Sequence, residues 1–183
     1  CEDLPESGYI VFTKGAVDEL LDVCDRVWNE GNVEPIDDAW RERIERANNR
    51  LAEEGMRVLG VAMRPLDEVP ETTDEETLER DQIFIGLTGM IDPPRPEVRE
   101  AVKECRTAGI RPVMITGDHP LTALHIAREL GIAESGAQGN GGGDSGSVIT
   151  GRRLAEMSVD DLDDVVTDIS VYARVSPEHK VKI

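Results

Sequence analysis

Residues 110–132, IRPVMITGDHPLTALHIARELGI, constrain the fold more than any other stretch, because they read as strand, tight turn and helix in immediate succession. Pro112, Val113, Met114 and Ile115 form a short apolar run of the kind a fully buried strand uses. The run stops at Thr116-Gly117-Asp118, where glycine permits a turn. A helix is predicted next, with Pro120 in its first turn, Leu121, Leu124, Ala127 and Leu130 at helical spacing, and Gly131 just past its end. In an open α/β sheet, a polar turn beyond a strand's carboxyl end is where ligands bind. A hydroxyl, a flexible amide and a carboxylate in succession suit a phosphate or a phosphate-bound Mg²⁺, although a bare T-G-D is also an ordinary turn.

Composition narrows the partners. With 183 residues, 39% of them hydrophobic, the chain can build the core of one ordinary domain or two small ones. Its net charge of −18, from 38 acidic against 20 basic residues, argues against nucleic acid and anionic membrane surfaces, since like charge repels a phosphate backbone. Such acidity with 3% aromatics fits either adaptation to a salty cytosol or a merely acidic globular domain. No stretch approaches the roughly 18 apolar residues of a membrane span, and CEDLPESGYI has neither region of a signal peptide. The missing initiator Met, and a helix start at Ser176-Pro177-Glu178 close to Ile183, are read as marks of an excised fragment. Cys1, Cys24 and Cys105 lack C-x-x-C spacing and are odd in number, so neither a disulfide framework nor a zinc site is supported and a reducing cytosol is expected. Cys24 and Cys105 both fall within predicted helices, as small buried hydrophobes.

Taken in order, residues 9–13 are β-branched and aromatic and predict a strand, which runs into Lys14-Gly15-Ala16 before a helix rich in Leu and Val. Lys14 is either a solvated surface lysine or a cation reaching a nucleotide from a glycine-loosened turn. A helix over 38–54 places Trp40, Ile44, Ala47 and Leu51 on one core-facing stripe and stops at Gly55. Residues 56–66 predict a strand with Arg57 at its start. Residues 67–81 are acidic and Pro/Thr-rich, a loop with at most one helical turn, and 83–91 resume a strand.

Asp92-Pro93-Pro94-Arg95 loses two backbone donors and is held extended, a stiff joint suited to a domain boundary, although a plain turn explains the two prolines equally well. Val98, Ala101, Val102 and Cys105 then predict a helix ending at Gly109. Residues 134–147 are Gly/Ser/Asn-rich; Gly141, Gly143 and Gly146 satisfy G-x-G-x-x-G literally, but polar loop lies on both sides, so the match is rejected. A strand at 148–150, a helix capped by Ser158 with Asp161 at N3, and a strand at 170–175 complete an α/β alternation that predicts a parallel sheet. Arg174, at the last strand's end, and Lys180, one turn into the next helix, fall at its carboxyl edge.

K-G-A at 14–16, M-R-V-L at 56–59, D-P-P-R at 92–95, M-I-T-G-D at 114–118 and A-R-V-S-P-E-H-K at 173–180 fall into one order. Together they resemble the cytoplasmic part of a P-type cation-transporting ATPase, in particular the group that includes calcium pumps. The resemblance implies that residues 1–91 are the later half of the nucleotide-binding domain, part of an α+β fold, and that 92–183 belong to a haloacid-dehalogenase-like (Rossmann-type) phosphorylation domain. It implies that Lys14 and Arg57 contact ATP and that Thr116 and Gly117 form a phosphate-binding motif. Asp118, Asp92 and the neighbouring Arg95 would lie near the nucleotide and hinge, Arg174 would be a nucleotide contact, and Lys180 the phosphorylation-site lysine. ATP with Mg²⁺, and the remaining domains of a membrane-embedded pump in cis, are the implied partners.

Phosphoryl transfer to a carboxylate spreads charge over the equatorial oxygens, so a hydroxyl, an amide and a lysine ammonium are suitable stabilisers. The chain departs from the family in having neither a D-K-T-G nucleophile motif nor a G-D-G-x-N-D metal motif; Asp92 is followed by Pro-Pro-Arg. It is therefore expected not to form an aspartyl phosphate by itself. The alternatives are a stand-alone haloacid-dehalogenase-like phosphatase and a non-enzymatic interaction module. If both domains are incomplete, each sheet should expose an edge and invite dimerisation.

Overall fold

The computed structural model describes residues 8–133 and 148–183; the rejected glycine-rich match lies outside them. The chain divides into two compact units, one formed by Cys1–Arg50 with Val58–Met90, the other by Leu51–Arg57 with Ile91–Ile183.

The first unit contains β1 (Tyr9–Gly15), α1 (Val17–Asp22), β2 (Cys24–Asn29), β3 (Asn32–Pro35), most of α2 (Asp38–Glu53), β4 (Arg57–Leu66) from its second residue, α3 (Glu75–Leu78) and β5 (Gln82–Met90). Its five strands lie in the order β1-β4-β5-β2-β3. The sheet is mixed: β1 is antiparallel to β4 from Tyr9↔Leu66 to Gly15↔Gly60, β3 is antiparallel to β2, and β2 runs parallel to β5. Core packing explains Gly60 in the middle of β4, where a Cβ would come within 2.8 Å of Leu20 and 3.3 Å of the Phe84 ring. Leu20, Leu21, Val27, Ile44 and Phe84 close that core. α2 starts under an Asp37 cap, whose Oδ1 accepts from the Trp40 N–H at 2.8 Å, and the chain leaves it through Gly55 at φ 81°.

The second unit adds α4 (Pro96–Thr107), β6 (Met114–Ile115), α5 (Pro120–Leu130), β7 (Val148–Thr150), α6 (Gly151–Glu156), α7 (Val159–Val165), β8 (Val171–Ala173) and a 3-10 turn at Pro177–Val181. Its sheet has the order β6-β8-β7, and both pairings are parallel. Alternation along β8 builds two cores. Val171 and Ala173 pack with Val102 of α4 and Ala123, Leu124 and Ala127 of α5, whereas Tyr172 packs with Leu154 of α6 and Leu162 of α7. A sheet buried on both faces is what a parallel, helix-connected arrangement requires.

Several expectations are corrected. Cys24 lies in β2, not in a helix, although it is buried as expected. Leu20, Leu21, Val23, Cys24 and Val27 mimic helical spacing, but Glu30 (φ 49°) and Gly31 (φ 96°) close a two-residue hairpin between Asn29 and Asn32 that draws the chain into antiparallel pairing. The strand expected over 112–115 is only Met114–Ile115 and is not fully buried, Ile115 being 37% exposed, because β6 is the edge of its sheet. On α2 the stripe is only partly core: Ile44 is buried, but Trp40, Ala47 and Leu51 are half-buried, and Ala52 takes the deepest position. The strand over 170–175 contracts to Val171–Ala173, and the helix after Ser176 is a 3-10 turn.

Candidate functional site

The T-G-D turn is held to the sheet by backbone bonds at both its ends. Thr116 N–H donates to the Tyr172 carbonyl at 2.9 Å, while Val175 N–H donates to the Thr116 carbonyl at 3.1 Å and Arg174 N–H to the Asp118 carbonyl at 3.2 Å. Within the turn, Thr116 Oγ1 donates to Asp118 Oδ2 at 2.8 Å and accepts from the Asp118 N–H at 3.1 Å. Arg57 Nε meets Asp118 Oδ1 at 3.5 Å, with the Arg57 side chain 68% exposed, so the pair contributes only about 0–1 kcal/mol and leaves the guanidinium accessible to an anion. α5 begins immediately afterwards, with His119 Nδ1 accepting from the Leu121 N–H at 3.3 Å and Pro120 at the first helical position.

Gly117 departs from the sequence expectation in an instructive way. Its φ lies outside the left-handed range, so the turn does not need glycine's conformational freedom, and a Cβ built there would meet nothing within 4 Å. Among the described residues neither strain nor crowding calls for glycine here. Its absent side chain leaves open space beside an exposed residue.

Arg57 is delivered to Asp118 by a short segment that α5 grips. Thr122 Oγ1 donates to the Met56 carbonyl at 2.8 Å, His125 Nδ1 lies 2.8 Å from the Glu53 carbonyl, and a Cβ on Gly55 would fall 2.6 Å from the His125 ring. Arg174, half-buried beside the turn, holds a left-handed backbone at φ 52°.

Residues 1–97 match the family described as P-type ATPase, cytoplasmic domain N. The chain belongs to the P-type ATPases. It is 43% identical over 173 residues, 94% of its own length, to the calcium-transporting ATPase of Bacillus subtilis (strain 168), and covers 18% of that protein. The calcium-transporting ATPase 1 of Bacillus cereus is 43% identical over 178 residues (97% of this chain, 19% of that protein). The sodium/potassium-transporting ATPase subunit alpha-3 of Oreochromis mossambicus is 36% identical over 207 residues (100% and 20%). The chain therefore spans about a fifth of the length of the curated relatives it matches.

In this P-type ATPase chain the structure brings together Thr116, Gly117, Asp118, Arg57 and the Arg174 backbone, all in the second unit. It does not draw in the rest. Lys14 is exposed on β1 of the first unit, in regular pairing with Val61, so the strand continues through the expected glycine-loosened turn. Asp92 is exposed in the extended joint, and Arg95 precedes α4 as its N-cap without a side-chain cap bond. Lys180 is exposed on the 3-10 turn, and no hydrogen bond or ion pair joins its side chain to another described residue.

Sequence reasoning missed Lys182, whose Nζ donates to the Leu154 carbonyl at 2.6 Å and also to Met157, tying the 3-10 turn to the end of α6. It also missed Thr122 and His125, whose polar groups between Leu121 and Ile126 were the available signal. A groove of about 590 Å³ between α4 and the end of α5 shares no lining residue with the T-G-D turn. Two of its cations are engaged inside the chain, Arg106 with the Ile132 carbonyl and Arg99 with Glu129. No transmembrane-length apolar helix occurs among the described residues.

Proposed function

We propose that the chain is part of the cytoplasmic ATP-handling machinery of a membrane-embedded, cation-transporting P-type pump. On this reading residues 1–91 are the later half of the nucleotide-binding domain and 92–183 part of a haloacid-dehalogenase-like phosphorylation domain. The observation that carries it is the open space at the exposed Gly117, between a turn hydroxyl at Thr116 and the Arg57–Asp118 pair. A glycine with no internal reason to be one is what a closely approaching phosphate requires.

In the proposed roles Thr116 Oγ1 and the Gly117 amide hydrogen-bond the transferring phosphoryl group, and Lys180 neutralises it. Arg57 and Arg174 hold the nucleotide's phosphates, Asp118 orients Arg57 and Thr116, and Lys14 is a further nucleotide contact. Asp92 and Arg95 belong to the joint. Mg²⁺ fits this chain poorly: among the described residues no three His, Cys, Asp or Glu side chains gather as a metal site, and both Asp118 oxygens are engaged. The ion would supply charge neutralisation on phosphates and would depend on ligands elsewhere in the pump. The sequence contains no D-K-T-G, so transfer to an aspartate needs the pump's other segments, which also disfavours a stand-alone phosphatase.

Calorimetric titration with ATP tests the reading. Arg57→Ala and Lys14→Ala should each weaken binding by about tenfold, a typical loss for a charge-assisted phosphate contact. Unchanged affinity in both variants would remove them from the site. Steady hydrolysis of p-nitrophenyl phosphate, abolished by Lys180→Ala, would instead favour the phosphatase.

A further inference from the structure

We propose that Gly151 is a positioning residue for the T-G-D turn: it is the one residue type that lets the Arg174 peptide sit where it clamps that turn. Thr150 pairs with Ala173 across the parallel β7–β8 ladder, so the residues leaving the two strands, Gly151 and Arg174, are neighbours. A Cβ at Gly151 would lie 2.1 Å from the Arg174 carbonyl oxygen, 3.1 Å from its carbonyl carbon and 3.0 Å from His179 Nδ1. The first distance is more than an ångström inside ordinary C···O contact of about 3.3 Å, and the obstructing atom is backbone, which has no rotamer to escape into.

The displaced carbonyl is not an isolated atom. It shares one rigid peptide plane with the Val175 N–H, which donates to the Thr116 carbonyl at 3.1 Å. On the other side of the same residue, the Arg174 N–H donates to the Asp118 carbonyl at 3.2 Å. Both bonds that fasten the second side of the turn therefore flank the group that a side chain at 151 would push. Arg174 has little room to absorb the push by rotation, since it already holds the left-handed region at φ 52°, where non-glycine residues are confined to a narrow well. The consequence for phosphate recognition rests on the proposed function; the mechanical link does not.

The test is hydrogen–deuterium exchange by NMR on the 183-residue chain, with ATP titration as a separate arm. In Gly151→Ala the Val175 amide should lose protection by about tenfold or more, while the Val148 and Ile149 amides of the β7 ladder keep theirs. Adding Arg174→Gly should restore Val175 protection, because glycine can move its carbonyl through backbone angles closed to arginine. Unchanged Val175 exchange in Gly151→Ala, or an equal loss at Val148, Ile149 and Val175, would overturn the proposal. If Gly151→Ala does not fold, recovery of folding in the double variant supports it and failure to recover overturns it. Absence of ATP binding by the unsubstituted chain would sink the phosphate reading while leaving the exchange result to decide the role of Gly151.

Discussion

At Cys24 a single side chain's surroundings rewrite its chemistry. Burial pushes the thiol up from an ordinary 9.0 to about 12, Asp25 adds to the rise and Arg41 opposes it. A pKa raised by folding means that the thiol's contribution to stability is complete below pH 9.0 and is lost as pH rises towards 12. Urea unfolding at about pH 8 and about pH 11 should therefore show a fall in stability that Cys24→Ala reduces. At neutral pH Cys24 should resist iodoacetamide in the native chain and react once the first unit unfolds, because the thiolate is the nucleophile. The residue type alone identified this thiol as buried. It could not identify the strand that buries it, because helical and hairpin spacing coincide from Leu20 to Val27 and the deciding residues, Glu30 and Gly31, act through their backbone angles. Thr116, Gly117 and Asp118 were legible as a polar turn because three polar functions follow an apolar run, whereas the crowding at Gly151 was not, because its contact is made by Arg174, more than twenty residues away in sequence.

Among the elements, those with chemical start and stop signals were readable to within a residue or so. α5 begins at Pro120 and leaves through Gly131 at φ 75°, as predicted. α7 carries its reciprocal box, with Ser158 Oγ accepting from the Asp161 N–H at 3.1 Å and Asp161 Oδ2 accepting from the Ser158 N–H at 3.0 Å. The Ser158 hydroxyl and amide also hold the Asp161 carboxyl below its ordinary range. A carboxyl lowered by folding stabilises above its unfolded pKa and loses that effect as pH falls through the folded value. Ser158→Ala should thus lower the melting temperature at neutral pH, and the gap to the unsubstituted chain should narrow in acid. Thermal melts of both proteins at about pH 7 and about pH 3 check this. Strand lengths were the poorly read quantity. β6 and β8 are short because each continues only as far as its neighbour pairs, a property of the sheet rather than of the local sequence.

At the scale of the whole molecule, the sheet of the first unit presents an open edge. β1 is an edge strand whose outer side has no partner strand among the described residues, and it carries Tyr9, Ile10 and Phe12 at 57%, 44% and 67% exposure. Such an edge invites pairing with another chain. Sedimentation of the isolated chain should show concentration-dependent association that Phe12→Lys suppresses; a monomer at all concentrations would exclude edge pairing. The strand order carries a further consequence, for the order of events in folding. β5 is the last strand of its sheet to be synthesised yet lies between β4 and β2. Until residue 90 has emerged, the β1–β4 pair and the β2–β3 hairpin are two separate half-sheets, each with an open side. β5 acts as a keystone, so nucleation of this unit waits on a non-local insertion and should be slow compared with the helix-rich second unit.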